Sequence, residues 1–186
     1  DLARFSGYFG FGARQSNLGH WLPTIAVRQG SVWLLHDNAL ISEQIVSDPA
    51  DWDDTLTVSG ASDQLMLAAP GELTQDGTTW HIVHRAARDL ALSMSEEFTR
   101  TTAETENGVT VEVYTFADAL VETASDPVDA AAHALEVAAR SLAMYSDLFG
   151  DYPHDRFIVI QGDFADGMEF SDVVFVSTDW FTRYAG

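Results

Sequence analysis

The sequence predicts an α+β protein with an all-β N-terminal part and a mixed C-terminal part. Short strand-like stretches separated by turn residues run through residues 1–87 without a helical period. A long amphipathic pattern follows at 127–149, and two β-rich runs come after it, at 157–161 and 173–177. We therefore expect a complete or partial β-sandwich in residues 1–87 and a second unit, of strands with one long helix, in residues 88–186.

Composition excludes several classes of function. The chain has 186 residues, and its nine basic residues, all arginine, stand against 29 acidic ones, for a net charge of −20. Such a chain is not expected to bind nucleic acid, because phosphate binding needs clustered Lys and Arg. It has no cysteine, so disulfides, thiolate metal sites and a cysteine nucleophile are excluded. A G-x-S-x-G serine-hydrolase motif is also absent.

The termini and the hydropathy pattern leave the localisation open. No signal peptide is visible, and no apolar run approaches the roughly 20 residues that cross a bilayer. The chain begins with Asp1 rather than methionine and ends at Gly186. We expect both ends to be cuts within a longer protein.

The only pair of histidines with a metal-like spacing is His81 and His84. Residues 79–85 alternate as in a strand, with Trp80, Ile82 and His84 on one face. Residues three apart in a strand point to opposite faces, so the two imidazoles cannot share one ion. The acidic run 51–54 lacks the glycine and the terminal Glu of a calcium loop. We expect no metal site in these 186 residues.

The C-terminal half has a clear order of elements. Residues 88–95 and 109–114 alternate as strands that are expected to pair, with a polar loop at 96–108 between them. Asp126 and Pro127 predict a helix start, and Gly150 predicts its end. The apolar stripe of this helix is expected to run through to Tyr145 and Phe149.

Five short stretches carry a resemblance to one family of proteins. They are Trp21-Leu22-Pro23, residues 47–52, Arg88-Asp89-Leu90-Ala91, residues 148–153 and Gly167-Met168-Glu169. In this order they resemble motifs of the zinc aminopeptidases, the alanyl aminopeptidase or aminopeptidase N family. Gly167-Met168-Glu169 resembles the exopeptidase motif, in the bacterial Gly-Met-Glu-Tyr-Pro version, and Phe170 and Ser171 stand where that version has Tyr and Pro.

The resemblance implies an N-terminal β-sandwich followed by the first β-rich subdomain, with its long helix, of a thermolysin-like catalytic domain. In the family the motif glutamate holds the free α-amine of a peptide, and the motif backbone aligns the chain. Carried over, Glu169 would bind the amine, with backbone contacts from Gly167 and Met168. The family's zinc ligands, H-E-x-x-H and a later Glu, follow this region, so zinc is implied for a parent protein and not for this fragment. The remainder of the catalytic domain would be missing, and the fragment is expected to be inactive.

Two other functions are open at this point. The chain could be a catalytically inactive peptidase homologue that only holds peptides. It could also be a non-enzymatic β-sandwich module that binds carbohydrate or protein through Trp33, Trp52 and Trp80. Core packing is the more ordinary role for these three tryptophans, because aromatic side chains dominate cores.

Overall fold

The structure is a computed structural model that describes residues 2, 4, 7–35, 47–121 and 127–183. Within these residues it contains sixteen strands and two helices. In chain order they are β1 (Phe9–Phe11), β2 (Ser16–Leu18), β3 (Arg28–Gln29), β4 (Val32–Trp33), β5 (Ala50–Thr57), β6 (Met66–Ala68), β7 (Glu72–Asp76), β8 (Thr79–Ala87), β9 (Leu92–Ser95), β10 (Thr99–Glu104), β11 (Thr110–Thr115), β12 (Leu120–Val121), β13 (Val128–Asp129), α1 (Ala130–Phe149), β14 (Arg156–Gly162), β15 (Met168–Phe170), β16 (Val173–Ser177) and α2 (Thr178–Arg183).

Three sheets carry most of the strands. A three-stranded antiparallel sheet has the order β5-β8-β7, and a four-stranded antiparallel sheet has the order β1-β2-β9-β6. The third sheet has the order β10-β11-β14-β16-β15. Its central strands β11, β14 and β16 are parallel, and both edge strands, β10 and β15, are antiparallel to their neighbours. The pairs β3-β4 and β12-β13 form two small ribbons.

Three apolar cores lie among the three sheets and α1. Side chains such as Trp80 and Leu92 fill the space between the three- and four-stranded sheets. The core between the four- and five-stranded sheets includes Ala91 and Phe175. The opposite face of the five-stranded sheet packs on α1 through residues such as Val113 and Leu142. The five-stranded sheet is therefore covered on both faces, as its parallel strands require.

The long helix begins three residues later than predicted. Asp129 is the N-cap, and its carboxylate accepts a hydrogen bond from the Ala132 amide at 3.0 Å. Pro127 precedes the short strand β13, and Asp126 lies outside the described residues. Asp129 can serve as the N-cap in place of Asp126 because it has the same short carboxylate side chain, which accepts hydrogen bonds from the free amides of the first turn. The predicted end is confirmed, since Gly150 has a φ of 103° and its amide donates to Ser146.

The buried stripe of α1 is shorter than predicted. Ala134, Ala138 and Leu142 face the five-stranded sheet and are buried. Tyr145 and Phe149 are 52% and 81% exposed, so the prediction that the stripe continues to the end of the helix is wrong. The C-terminal turns of α1 are therefore not part of its buried stripe.

The predicted pairing of residues 88–95 with 109–114 is also wrong. Strand β9 lies in the four-stranded sheet between β2 and β6, and β11 pairs instead with β10 and β14. The segment predicted as a loop at 96–108 contains β10, whose alternating half-buried and exposed residues fit an edge strand. Strand β9 thus joins residues on both sides of position 87 in one sheet, while the division into two domains stays a prediction.

The coarse fold class is confirmed: the protein is a strand-rich α+β structure with several sheets and few helices. Strand β8 also confirms the predicted alternation, with Trp80, Ile82 and His84 buried and His81 exposed. Within the described ranges, no helix combines the length and apolarity needed to cross a lipid bilayer.

Candidate functional site

The predicted peptide-binding residues Gly167, Met168 and Glu169 lie at the start of the edge strand β15. Strand β15 pairs with β16 alone among the described residues, so its outer edge is free there. Glu169 stands opposite Val174 in the register and is exposed. Val174 packs in the core between the sheet and α1, so Glu169 lies on the same face of the sheet as α1. On that face α1 covers β11 and β14, nearer the centre of the sheet. The carboxylate thus stands at a sheet edge that the helix does not cover.

Gly167 and Met168 have different structural roles beside this carboxylate. A Cβ at Gly167 would come within 3.0 Å of the Phe175 carbonyl oxygen, so the glycine lets the start of β15 approach β16 closely. Met168 points to the other face and packs in the core between the four- and five-stranded sheets. Phe170, on that same face, is buried against the ring of Phe175 at 5.9 Å between centroids. The motif therefore anchors one face in the core and leaves Glu169 accessible on the other.

The hairpin of β15 and β16 is held in place by the segment that follows β8. The Ser171 amide donates to the Asp89 carboxylate at 2.8 Å, and the Ser171 hydroxyl accepts from the Arg88 amide at 3.0 Å. Asp172, the second residue of the turn, has a φ of 63°, which Asp tolerates better than most side chains. This conformation is accompanied by burial of the Asp172 side chain, which is 4% exposed.

A cluster that the sequence analysis did not anticipate forms around this buried carboxylate. The Nε2 atom of His84 lies 2.8 Å from Oδ2 of Asp172, and Nδ1 of His154 lies 3.3 Å from the same oxygen. The hydroxyl of Tyr152 donates a hydrogen bond to the other oxygen, Oδ1. Burial, together with the Asp172 carboxylate, raises the pKa of Tyr152, so the phenol stays protonated as the donor. Each oxygen of Asp172 therefore has a distinct set of partners.

The cluster borders an open cavity of about 540 Å³ between the three- and five-stranded sheets. His84, His154 and Asp172 line one part of it, and Glu112 and Arg156 line another. Glu112 is 6% exposed and accepts from Arg156 Nε at 3.1 Å, with Arg156 Nη2 at 3.0 Å from the same oxygen. The third guanidinium nitrogen of Arg156, Nη1, donates to the Gly71 carbonyl, so Arg156 links the two sheets across the cavity wall. The cavity is large enough for a small molecule.

No protein-family model matches this sequence, and neither does any curated protein that was searched. The resemblance to the zinc aminopeptidases therefore rests on the motifs themselves. All five stretches lie within the described residues. Met168 and Glu169 of the Gly167-Met168-Glu169 motif lie in the edge strand β15, and residues 148–153 run from the last two residues of α1 into the connection to β14.

Sequence reasoning missed the cluster because its members are remote from one another in the chain. His84 and Asp172 are 88 positions apart, and His154 follows α1 in a connection whose course the sequence did not predict. The burial of His84 was predictable from the alternation of β8. A histidine on the buried face of a strand needs a polar partner. That requirement was the one feature of the sequence that could have indicated the cluster.

Proposed function

We propose that this chain is part of a zinc aminopeptidase-like protein and that the edge strand β15 holds the free N-terminus of a peptide. The β-sandwich and thermolysin-like identity of its two parts belongs to the same proposal. The observation that carries it is the exposed carboxylate of Glu169 on the edge strand of a mixed, helix-covered sheet. Among the described residues no hydrogen bond or ion pair occupies this carboxylate.

The geometry suits an extended peptide. A peptide can add to a free strand edge through main-chain hydrogen bonds, as β-augmentation does in other proteins. Its α-amine has a pKa of about 7.7–8.0 and is largely protonated at neutral pH. An ion pair with Glu169 would then select the free end of the chain. Because an exposed ion pair is worth no more than about 1 kcal/mol, we expect weak, roughly millimolar binding by the 186 residues alone.

These 186 residues do not include the zinc ligands of the aminopeptidase family. The 186 residues contain no H-E-x-x-H motif, and the resemblance places the ligands after the region of β16. The peptide-holding role is therefore proposed without hydrolysis by this chain. The expected result is no turnover of an amino-acid anilide in the presence of zinc, and turnover that is lost in Glu169→Ala would contradict it.

Peptide binding can be tested by NMR with trialanine amide and its N-acetylated form as probes. The free-amine peptide should shift the amide signals of residues 167–170, and acetylation should weaken its binding several-fold. Glu169→Gln should have the same effect as acetylation. Glu104→Gln is the matched control, because Glu104 is also an exposed glutamate on an edge strand of the same sheet. Equal binding of the acetylated peptide, or unchanged binding by Glu169→Gln, would refute the proposal.

A non-enzymatic binding module is the second candidate, and the exposure of Trp33 favours it. Trp80 is buried and Trp52 is half-buried, with its indole N–H donating to the Ala87 carbonyl at 3.0 Å. Trp33, in the β3-β4 ribbon, is 52% exposed, so the core role expected for it is wrong. An exposed tryptophan can stack on a sugar ring. Quenching of its fluorescence by an oligosaccharide, lost in Trp33→Ala, would favour this candidate over peptide binding.

A further inference from the structure

We infer that His84, His154 and Asp172 form a binding site for one zinc ion, separate from any zinc of the proposed peptidase. The inference does not depend on the proposed function. It revises the expectation, drawn from the spacing of His81 and His84, that the chain has no metal site. That spacing excluded a shared ion for those two histidines only.

The donor set matches the preferences of zinc. Two imidazole nitrogens and one carboxylate oxygen are the ligands of many zinc sites, whereas calcium and magnesium favour oxygen alone. The three donor atoms lie within 4.8 Å of one another. Tetrahedral bonds of 2.0–2.1 Å require donor atoms about 3.3 Å apart. The two contacts to Asp172 Oδ2, at 2.8 and 3.3 Å, are already close to that spacing.

The surroundings of Asp172 also point to a cation. Its side chain is 4% exposed, and a buried carboxylate is costly unless positive charge compensates it. Among the described residues no arginine contacts Asp172, whose partners are the two imidazoles and the Tyr152 hydroxyl. A divalent ion would supply the missing charge. Tyr152, bound to Oδ1, would then orient the carboxylate from the second shell, as hydrogen-bonded partners of metal ligands do.

His84 is held by fewer polar contacts than its burial calls for. The side chain is 1% exposed, and its Nδ1 atom has no hydrogen-bond partner among the described residues. The imidazole thus depends on Nε2 alone for polar stabilisation, and a metal bond at Nε2 is stronger than the hydrogen bond it replaces.

Three protein ligands leave one tetrahedral position for water or another ligand. Sites of this kind, with an open position, are the catalytic type of zinc site, in contrast to closed four-ligand structural sites. His84, His154 and Asp172 all line the 540 Å³ cavity, so a bound ion would be reachable from it. Arg85, Arg100 and Arg156 line the same cavity. Glu72, Glu112, Asp155 and Asp172 line it as well, and Arg156 is already bound to Glu112, so the lining does not favour an anion. Water is therefore the ligand expected at the open position.

The test is zinc binding by the metal-free 186-residue chain, measured by isothermal titration calorimetry with excess magnesium present to occupy surface carboxylates. We expect one zinc ion per chain. His154→Ala should weaken binding by more than about 100-fold, and Tyr152→Phe by about 10- to 100-fold. His81→Ala is the matched control, because His81 also contacts an aspartate, Asp53, at 2.7 Å but is exposed and has no third ligand. Its affinity should equal that of the wild type.

Cobalt substitution gives a readout that does not depend on the variants folding. Co²⁺ bound by the wild type should show the visible absorption of a four-coordinate nitrogen and oxygen site, and zinc should displace it. His154→Ala is preferred to His84→Ala because His154 is 20% exposed and its loss disturbs the core less. Absence of tight binding by the wild type, or binding that His154→Ala and Asp172→Asn both retain, would overturn the inference. The cluster would then be a hydrogen-bonded ion-pair group only.

Discussion

His84 and Asp172 are in hydrogen-bond contact, 2.8 Å apart, although they lie 88 positions apart in the chain and in different sheets. His84 belongs to β8 of the three-stranded sheet, and Asp172 to the turn between β15 and β16 of the five-stranded sheet. The contact therefore ties the N-terminal strands to the hairpin that carries Glu169. Changes at this cluster should affect the stability of the whole described structure.

Replacing Tyr152 by phenylalanine should destabilise the protein. The substitution keeps the ring and removes the hydrogen bond to Oδ1 of Asp172, leaving a buried carboxylate oxygen without that donor. We expect the free energy of unfolding in urea to fall by about 1–3 kcal/mol. Tyr145→Phe is the control, since Tyr145 is 52% exposed, and it should change stability by less than about 0.5 kcal/mol. Equal effects of the two substitutions would contradict the role of this hydrogen bond.

Gly71 should tolerate alanine much less well than Gly77. Both glycines have positive φ, 70° and 58°, so both variants carry the cost of a left-handed backbone, about 1–2 kcal/mol. A Cβ at Gly71 would also come within 2.2 Å of the Val83 carbonyl oxygen, while at Gly77 it meets nothing within 4 Å. We expect Gly71→Ala to lose about 1–3 kcal/mol more than Gly77→Ala in urea denaturation. A similar loss in both would show that β7 and β8 separate easily.

Stability should fall at alkaline pH because of buried tyrosines. Burial, followed by the Glu112 carboxylate, raises the pKa of Tyr114 to about 12, whereas the unfolded chain titrates near its ordinary value of about 10. Below about pH 10 Tyr114 is protonated in both states, and its contribution to the free energy of unfolding is fully present. Between about pH 10 and 12 the unfolded state loses its proton first, so the free energy of unfolding falls by about 3 kcal/mol. The raised pKa of Tyr152 acts in the same direction.

Urea denaturation at a series of pH values tests this prediction. Tyr114→Phe should show a shallower fall between about pH 10 and 12 than the wild type, because one of the titrating groups is gone. Its stability near neutral pH should be lower than that of the wild type, since the hydrogen bond from Tyr114 to Glu112, 2.7 Å long, is lost. A fall of unchanged steepness in the variant would exclude Tyr114 as the cause.

Replacing Leu142 of α1 by alanine should cost much more stability than replacing Leu148. Leu142 is 8% exposed and packs against the five-stranded sheet, whereas Leu148 is 65% exposed. Both changes have the same effect on helix propensity. Leu142→Ala should therefore cost about 2–5 kcal/mol, and Leu148→Ala less than about 0.5 kcal/mol. Thermal or urea unfolding measures both, and a large loss for Leu148→Ala would indicate that the end of α1 is covered in solution.

The elements with strong local patterns were predicted from the sequence, and the elements with weak patterns were not. Strand β8 alternates apolar and polar residues, and β14 and β16 are continuous apolar runs, so their existence follows from residues close in the chain. Strand β10, Thr99–Glu104, has almost no apolar residues and was expected to be a loop. It is a strand because β11 offers it a partner, and no local pattern reports a partner.

The features of the candidate site also separate into those that the local sequence predicts and those that depend on the tertiary structure. The sequence by itself determined the strand-rich α+β class, the end of α1 at Gly150 and the motif that contains Glu169, because these depend on neighbouring residues. Only the tertiary structure decided that β9 joins the N-terminal sheet and that His84, His154 and Asp172 meet beside a cavity. Their contact depends on how separate sheets stack, and stacking is set by the shapes of all the cores together rather than by any one stretch of chain.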